Sequence, residues 1–327
     1  MAIKKLCGIA AGLIVASLAG ACSGSTAAAE TSSLTLYTCA SENVEQAVVT
    51  AFQAAHHGIT VNVFRAPTGK LNAKVAADQR SGGIKADVIW ACDPLTMHGY
   101  DAQHLLGSWS PPNAADFPAA YRTAHFTAVD LLYMVLAVHK GAPKPSTWSE
   151  LTGPAWKDAV ALPSPSFAAS AFGMLGYFAS AKDYGLDYYR HLKANGAKQL
   201  DSPADVLTGV EQGTYQAGFT LANGAYHDQA KGSPIEVVWP MPGAVAIYAP
   251  IGITSKPNLS SAASSFADYT ASVEGQKLMA KQGTYVVLPG MGGPPLPAGS
   301  PVASPDWTIV FGSSKTLLAD YARVFGG

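Results

Sequence analysis

The chain has 327 residues, only 13% of them charged, and a formal net charge of −1. That balance leaves no basic footprint for nucleic acid or for an anionic membrane surface, so neither is expected as a partner through charge. The length exceeds one small core and suits two α/β lobes.

The first element reads as an export signal. Lys4 and Lys5 precede an apolar run from Leu6 to Leu18, followed by Ala19, Gly20, Ala21 and Cys22. A positive end, about a dozen apolar residues and small residues before a cut are what a secretion machine reads, and the run is too short to span a bilayer as a helix. Leu18-Ala19-Gly20-Ala21-Cys22 resembles the bacterial lipobox, in which the signal is cut before the Cys and that Cys is lipidated. Residues 1–21 are therefore expected to be a signal peptide and Cys22 a lipid anchor on the outer face of the cell membrane. Residues 22–33, small and polar without periodicity, read as a flexible tether. Cys7 leaves with the signal, so Cys39 and Cys92 remain as an even pair in an oxidising compartment, where such pairs usually bond.

From Leu34 the pattern alternates strand and helix. Leu34–Thr38 is β-rich, and Glu42–His57 carries Val44, Val48 and Phe52 on one helical face behind Ser41 as N-cap. Ile59–Phe64 is a second strand, Thr68 caps a second helix, and Ala86–Ala91 is a third strand, apolar throughout as a doubly covered parallel strand is. Alternation of this kind predicts a parallel sheet whose ligand crevice lies beyond the carboxyl ends of the strands. Leu131–His139 is a long β-rich run suited to crossing between lobes. Pro145–Lys157 is Pro-punctuated with a short helix, Ala159–Leu162 is a strand, and Ser166 opens a helix that packs Phe167, Phe172, Leu175 and Phe178 inward. A helix over Asp205–Gly213, a strand over Tyr215–Leu221 running into Asn223-Gly224-Ala225-Tyr226, a strand near Ile235–Trp239, helices over Ser261–Tyr269 and Glu274–Gln282, a Pro/Gly-rich wrap and a final helix complete the chain.

Several short pieces now carry a resemblance. Leu36-Tyr37-Thr38, Thr68-Gly69-Lys70-Leu71, Ala86-Asp87-Val88, Pro145-Ser146-Thr147-Trp148 with Leu151, Pro154-Ala155-Trp156-Lys157, Leu162-Pro163-Ser164-Pro165 and Ser272-Val273-Glu274-Gly275-Gln276 occur in this order behind the lipobox. The chain resembles the solute-binding lipoproteins of bacterial ABC importers, in the branch that includes ferric-iron, phosphonate, sugar-phosphate and thiamine binders. The resemblance implies an α/β, two-lobe periplasmic-binding-protein type II fold with a cleft between the lobes. Residues 34–132 would form the first part of lobe 1, 133–248 lobe 2, and 249–327 the return to lobe 1 with the C-terminal helices. It further implies a monomer that closes on one small solute or ion and delivers it to a membrane permease. A Cys39–Cys92 bridge at the cleft rim is expected on the same basis, because the ends of the first and third strands are neighbours in this fold family. The rival is a pair of reduced thiols offering soft metal ligation.

Ser41, Thr68 and Ser166 stand where helices begin, and helix N-termini present unpaired N–H groups and partial positive charge to an anion. Iron-binding members of the family use a His or acid, a further acid and adjacent tyrosines. Here the matching positions read Ser41, Cys92 or Asp93, and Ala225-Tyr226, which argues against tight ferric binding and leaves no resident metal in the expectation. The expected solute contacts are Ser41, Thr68, Gly69, Asp93, Ser170, Asn223, Tyr226 and Trp239, with further aromatic character from Tyr37, Trp90 and Tyr248. No hydrolase elbow, His-Glu-x-x-His, phosphate-binding loop or Cys-x-x-Cys is present, so neither catalysis nor a cofactor is expected. His98, Asp101 and His104 read as a solvated helix face. A ligand-sensing adaptor and, behind it, a lipid-anchored hydrolase are the competing classes.

Overall fold

The computed structural model describes residues 32–294 and 296–326. The expected signal peptide, Cys22 and most of the tether lie outside the described residues. The elements in chain order are β1 (Ser32–Thr38), α1 (Glu42–Ala55), β2 (Ile59–Arg65), α2 (Thr68–Arg80), β3 (Val88–Trp90), α3 (Pro94–Ala102), β4 (Thr127–His139), β5 (Val160–Pro163), α4 (Ala169–Ser180), α5 (Gly185–Ala194), β6 (Lys198–Leu200), α6 (Pro203–Glu211), β7 (Ala217–Leu221), α7 (Ala222–Ala230), β8 (Ile235–Val238), β9 (Ala244–Ile253), α8 (Ala262–Ala271), α9 (Val273–Lys281), β10 (Tyr285–Val286), β11 (Val302–Ala303) and α10 (Trp307–Phe325).

The strands form one continuous sheet in the order β2-β1-β3-β9-β4-β7-β5-β6, with β8 and β10 also paired to β4 and β11 to β9. Parallel pairs lie at both ends: β2, β1 and β3 at one, β7, β5 and β6 at the other. Between them β4 and β9 run antiparallel from Thr127↔Ile251 to Met134↔Val245 and join the two parallel sets. Nearly every residue of these two long strands is buried, which is why both read as unbroken apolar runs rather than as alternating ones.

The ladder between β4 and β9 slips by one residue between Ala128 and Asp130, and Pro250 stands opposite Ala128 at that slip. A proline has no N–H for the ladder, and a bulge leaves the facing ladder group without a partner, so each tolerates the other. Pro250 keeps its carbonyl in use, accepting the Ala91 N–H at 2.9 Å. Gln276, fully buried on α9, anchors the same spot: its side-chain nitrogen donates to the Val129 carbonyl at 2.8 Å, and its oxygen accepts the Val287 and Leu288 N–H groups at 3.1 and 3.2 Å.

One core gathers Leu36, Val48, Phe52, Ile89, Phe126 and Phe266, and a second gathers Leu136, Trp148, Leu162, Phe178, Phe219 and Tyr321. Burial of such side chains stabilises each by roughly 1.5–3 kcal/mol relative to exposure. α8 and α9 pack on the first core. α10, expected with them, packs instead on α4 and α5 of the second, where a Cβ at Gly176 would come within 2.4 Å of Val310.

Local expectations are corrected at several points. β1 begins at Ser32, inside the expected tether, because its N–H donates to the Gly58 carbonyl at 2.9 Å. The Pro145–Lys157 segment forms 3₁₀ turns at Ser149–Thr152 and Pro154–Trp156, broken by Gly153-Pro154, in place of a short helix. α4 starts at Ala169 rather than Ser166, since the Phe167 and Ala168 N–H groups first turn back to the Ser164 carbonyl. Phe167 is 44% exposed rather than packed inward. Asp101 pairs with His125 at 2.7 Å, and His98 packs on Phe126 and Phe311.

Candidate functional site

A cavity of about 290 Å³ lies between the two cores, floored by the crossing strands through Asp130, Leu132 and Ala249. β1 and β3 bring Cys39 and Cys92 to its wall, where they are bonded with Cα atoms 5.9 Å apart. Their strands are hydrogen-bonded neighbours, with Thr38 opposite Trp90, so Cys39, one residue beyond β1, and Cys92, two beyond β3, leave adjacent strand ends.

Among the described residues five helix starts border this cavity. Ser41 precedes α1, Thr68 opens α2, Ala169 and Ser170 open α4, Ser202 and Pro203 open α6, and Leu221 and Asn223 mark the start of α7. At α1, α2, α4 and α7 no side chain caps the helix, whereas at α6 the Ser202 hydroxyl accepts the Asp205 N–H. The first N–H groups of a helix have no partner inside it, so several donors and several positive dipole ends converge on one space. In chemical terms that is an anion cradle. Thr68 is itself the first helical residue behind Pro67, not the cap.

Of the expected contacts, Ser41, Thr68, Ser170 and Asn223 line the cavity. Gly69 and Asp93 do not; with Thr68, Asn72 and Ser166 they border an adjoining cavity of about 110 Å³. Asp93 is 1% exposed and caps α3, one carboxylate oxygen accepting the Thr96 N–H at 2.7 Å while the other is buried without a partner. Burial pushes its pKa up to about 6. Tyr226 and Trp239 line neither space. Tyr226 lies two residues beyond Gly224, about 200° round the helix from that cavity-lining position, and its hydroxyl takes the Trp239 indole N–H at 2.9 Å. Trp239 leans on Tyr133, with ring centroids 5.4 Å apart. Tyr37 is core, donating to Asp78 at 2.7 Å, and Tyr248 packs on Tyr121 and Trp307. Of the aromatic residues expected in the cleft, only Trp90 reaches it.

The two walls touch at Gly69, whose N–H donates to the Phe167 carbonyl at 3.0 Å. A Cβ there would stand 3.1 Å from Phe167 Cα and from the Ser166 carbonyl oxygen, so the close approach needs glycine.

Asp130 went unnoticed in the sequence. It is 5% exposed on the cavity floor, and its Oδ1 accepts the Trp90 indole N–H at 3.4 Å. Burial pushes its pKa up to about 7, the indole hydrogen bond opposing the shift. The available signal was one acid inside the apolar run Thr127–His139. Ser202 was legible too, since Ser202-Pro203-Ala204-Asp205 is a helix-start pattern. Arg65 also lines the cavity, with its guanidinium 3.2 Å from Glu42. Among the described residues no three His, Cys, Asp or Glu side chains cluster as a metal set, and no helix is long and apolar enough to cross a membrane.

The sequence model described as "bacterial extracellular solute-binding protein" matches residues 34–284. The chain belongs to that family. This solute-binding protein also shares its fold with solved periplasmic binding proteins. The fructose-6-phosphate-bound AfuA of Actinobacillus pleuropneumoniae aligns with a TM-score of 0.79 at 19% identity, over 89% of this chain and 98% of that one. Iron-bound HitA of Pseudomonas aeruginosa gives 0.75 at 18%, over 89% and 99%. A substrate-binding protein of an ABC transporter from Agrobacterium tumefaciens gives 0.80 at 16%, over 91% and 96%. No curated protein matches the sequence significantly. The fold is therefore the α/β periplasmic-binding type, and the family is an exported one that binds solutes.

Proposed function

We propose that the protein captures a small organic oxyanion of the phosphate-ester or phosphonate class, closes on it and delivers it to an ABC permease. The observation that carries this reading is the ring of five helix starts around one cavity, four of them without a side-chain cap. Such a site offers donors and positive dipole ends where a phosphoryl group presents acceptors. Its walls are otherwise mostly apolar, as suits the carbon part of an organic solute, and its volume falls near the lower end of small-molecule sites, about 300 Å³. The likeness of fold to the fructose-6-phosphate-bound protein points the same way.

A ferric site finds less support, because Tyr226, the phenolate such a reading needs, is bound to Trp239 outside the cavity. In the proposed setting residues 1–21 direct export and Cys22 carries the lipid. Replacing it, Cys22→Ala, is expected to move the protein from the membrane to the soluble fraction on cell fractionation.

Calorimetric titration of the delipidated body tests the ligand class with fructose 6-phosphate, 2-aminoethylphosphonate, inorganic phosphate and ferric citrate. Binding of an organic phosphate or phosphonate supports the reading; binding of ferric citrate alone overturns it.

A further inference from the structure

We propose that the solute carries an ammonium group as well as an oxyanion, and that Asp130 is the residue that selects for it. The inference deepens the proposed function and rests on it for the oxyanion end.

Among the described residues three charged side chains line the cavity: Arg65, Asp130 and Asp228. Arg65 comes from the end of β2, is partly exposed and already faces Glu42. Asp228, on α7, lies near the Glu211 carboxyl, whose proton affinity its like charge helps to raise. Asp130 differs from both. It rises from the floor of the cavity beside Leu132, on the side of β4 that faces the solute space, and only 5% of it is exposed. The neighbours that β3 and β9 bring to this floor are Trp90, Ala91, Cys92 and Ala249, none of them a cation. Its single hydrogen bond among the described residues is the one from Trp90, at 3.4 Å. Among the described residues no cation pairs with this carboxyl, and a buried carboxylate is strongly disfavoured until it acquires a counter-charge.

The rest of the cavity cannot use that carboxyl for the oxyanion itself, since like charges repel. The helix starts serve the anion, and Asp130 is left to meet a donor. Burial of the carboxyl raises its proton affinity, which disfavours the bare carboxylate beside a neutral hydroxyl; a primary ammonium stabilises the carboxylate form and supplies the counter-charge. The position is held from behind. The bulge opposite Pro250 and the Gln276 bond to Val129 fix the backbone at the residue before Asp130.

Three probes of one skeleton test the inference: 2-aminoethylphosphonate, 2-hydroxyethylphosphonate and ethylphosphonate, titrated calorimetrically into the delipidated protein. The amine is expected to bind at least tenfold more tightly than the other two. In Asp130→Asn that preference should collapse to less than threefold, with ethylphosphonate affinity kept or improved. Asp130→Ser, a smaller change, serves as the second variant, and a thermal melt of each variant verifies folding. Equal binding of the three phosphonates by the wild-type protein would overturn the role of Asp130 while leaving the oxyanion reading intact. Equal binding of amine and hydroxyl, both above ethyl, would overturn the ammonium assignment. Binding of none of the three, together with none of fructose 6-phosphate, would overturn both readings.

Discussion

Asp130 and Asp93 are acids whose burial keeps their protons, and this has a definite consequence for stability. Their folded pKa values, about 7 and about 6, stand above the roughly 3.9 of an unfolded aspartate. Between pH 4 and 7 the folded state therefore binds more protons than the unfolded one, so stability falls as pH rises through that interval. Asp130→Asn removes one of the two groups. The substitution is expected to raise the thermal midpoint of the solute-free protein at pH 8, to flatten its decline between pH 5 and 8, and to change little at pH 4.5. The difference at pH 8 is at most about 4 kcal/mol. Melting curves of both proteins across that range check it. A midpoint for the wild type that climbs from pH 5 to 7 would contradict the burial of both groups.

Two contacts between elements govern the cleft. The first is the Gly69–Phe167 backbone bond, which joins α2 to the turn before α4. Gly69→Val would place a branched side chain where even a Cβ stands 3.1 Å from two backbone atoms. α2 itself can accept valine, so the fold should persist while the walls are held apart. Solute affinity is expected to fall about tenfold, or roughly 1.4 kcal/mol, with a larger radius of gyration by scattering. The second contact is Gln276 of α9, which serves the Val129 carbonyl and two N–H groups beyond β10. Gln276→Leu leaves these buried groups without partners and is expected to cost about 3 kcal/mol in denaturant unfolding, against well under 1 for an exposed glutamine. Many of the short pieces that carried the family resemblance act in this way. Asp87 accepts the Thr35 and Ser260 N–H groups, and Trp148 donates to the Gly243 carbonyl from the middle of the second core. Asp87 and Trp148 pin the framework and line neither cavity, which is why such pieces revealed the fold more readily than the ligand.

At the scale of the whole molecule, the crossing strands join the two walls, and the Cys39–Cys92 bond ties two neighbouring strand ends within one of them. The bond closes a loop of 53 residues, and the chain-entropy estimate gives it about 4 kcal/mol through the unfolded state. The double variant Cys39→Ser, Cys92→Ser should lose a stability of that order in denaturant unfolding while retaining the sheet order by circular dichroism. A loss below about 1 kcal/mol would mean that the oxidised unfolded chain is not constrained as supposed. Among the described residues β4 and β9 continue the sheet between the parallel sets, and the bulge in their ladder lies next to Asp130.

The alternation of strands and helices, the export pattern at the start and the order of short family pieces were readable in the sequence, because each rests on neighbours in the chain: side-chain periodicity, caps and turn residues. Ser41 and Thr68, which line the cavity, were legible for the same reason, standing where helices begin. β9 was not, because Pro250 reads as a strand breaker until the bulge in β4 is known to face it. Nor were Asp130 as a cavity floor, Tyr226 and Trp239 as a pair turned from the cleft, or α10 as part of the second core. Each of these depends on which distant segment lies opposite, and only the packing of β4 between β9 and β7 decided that.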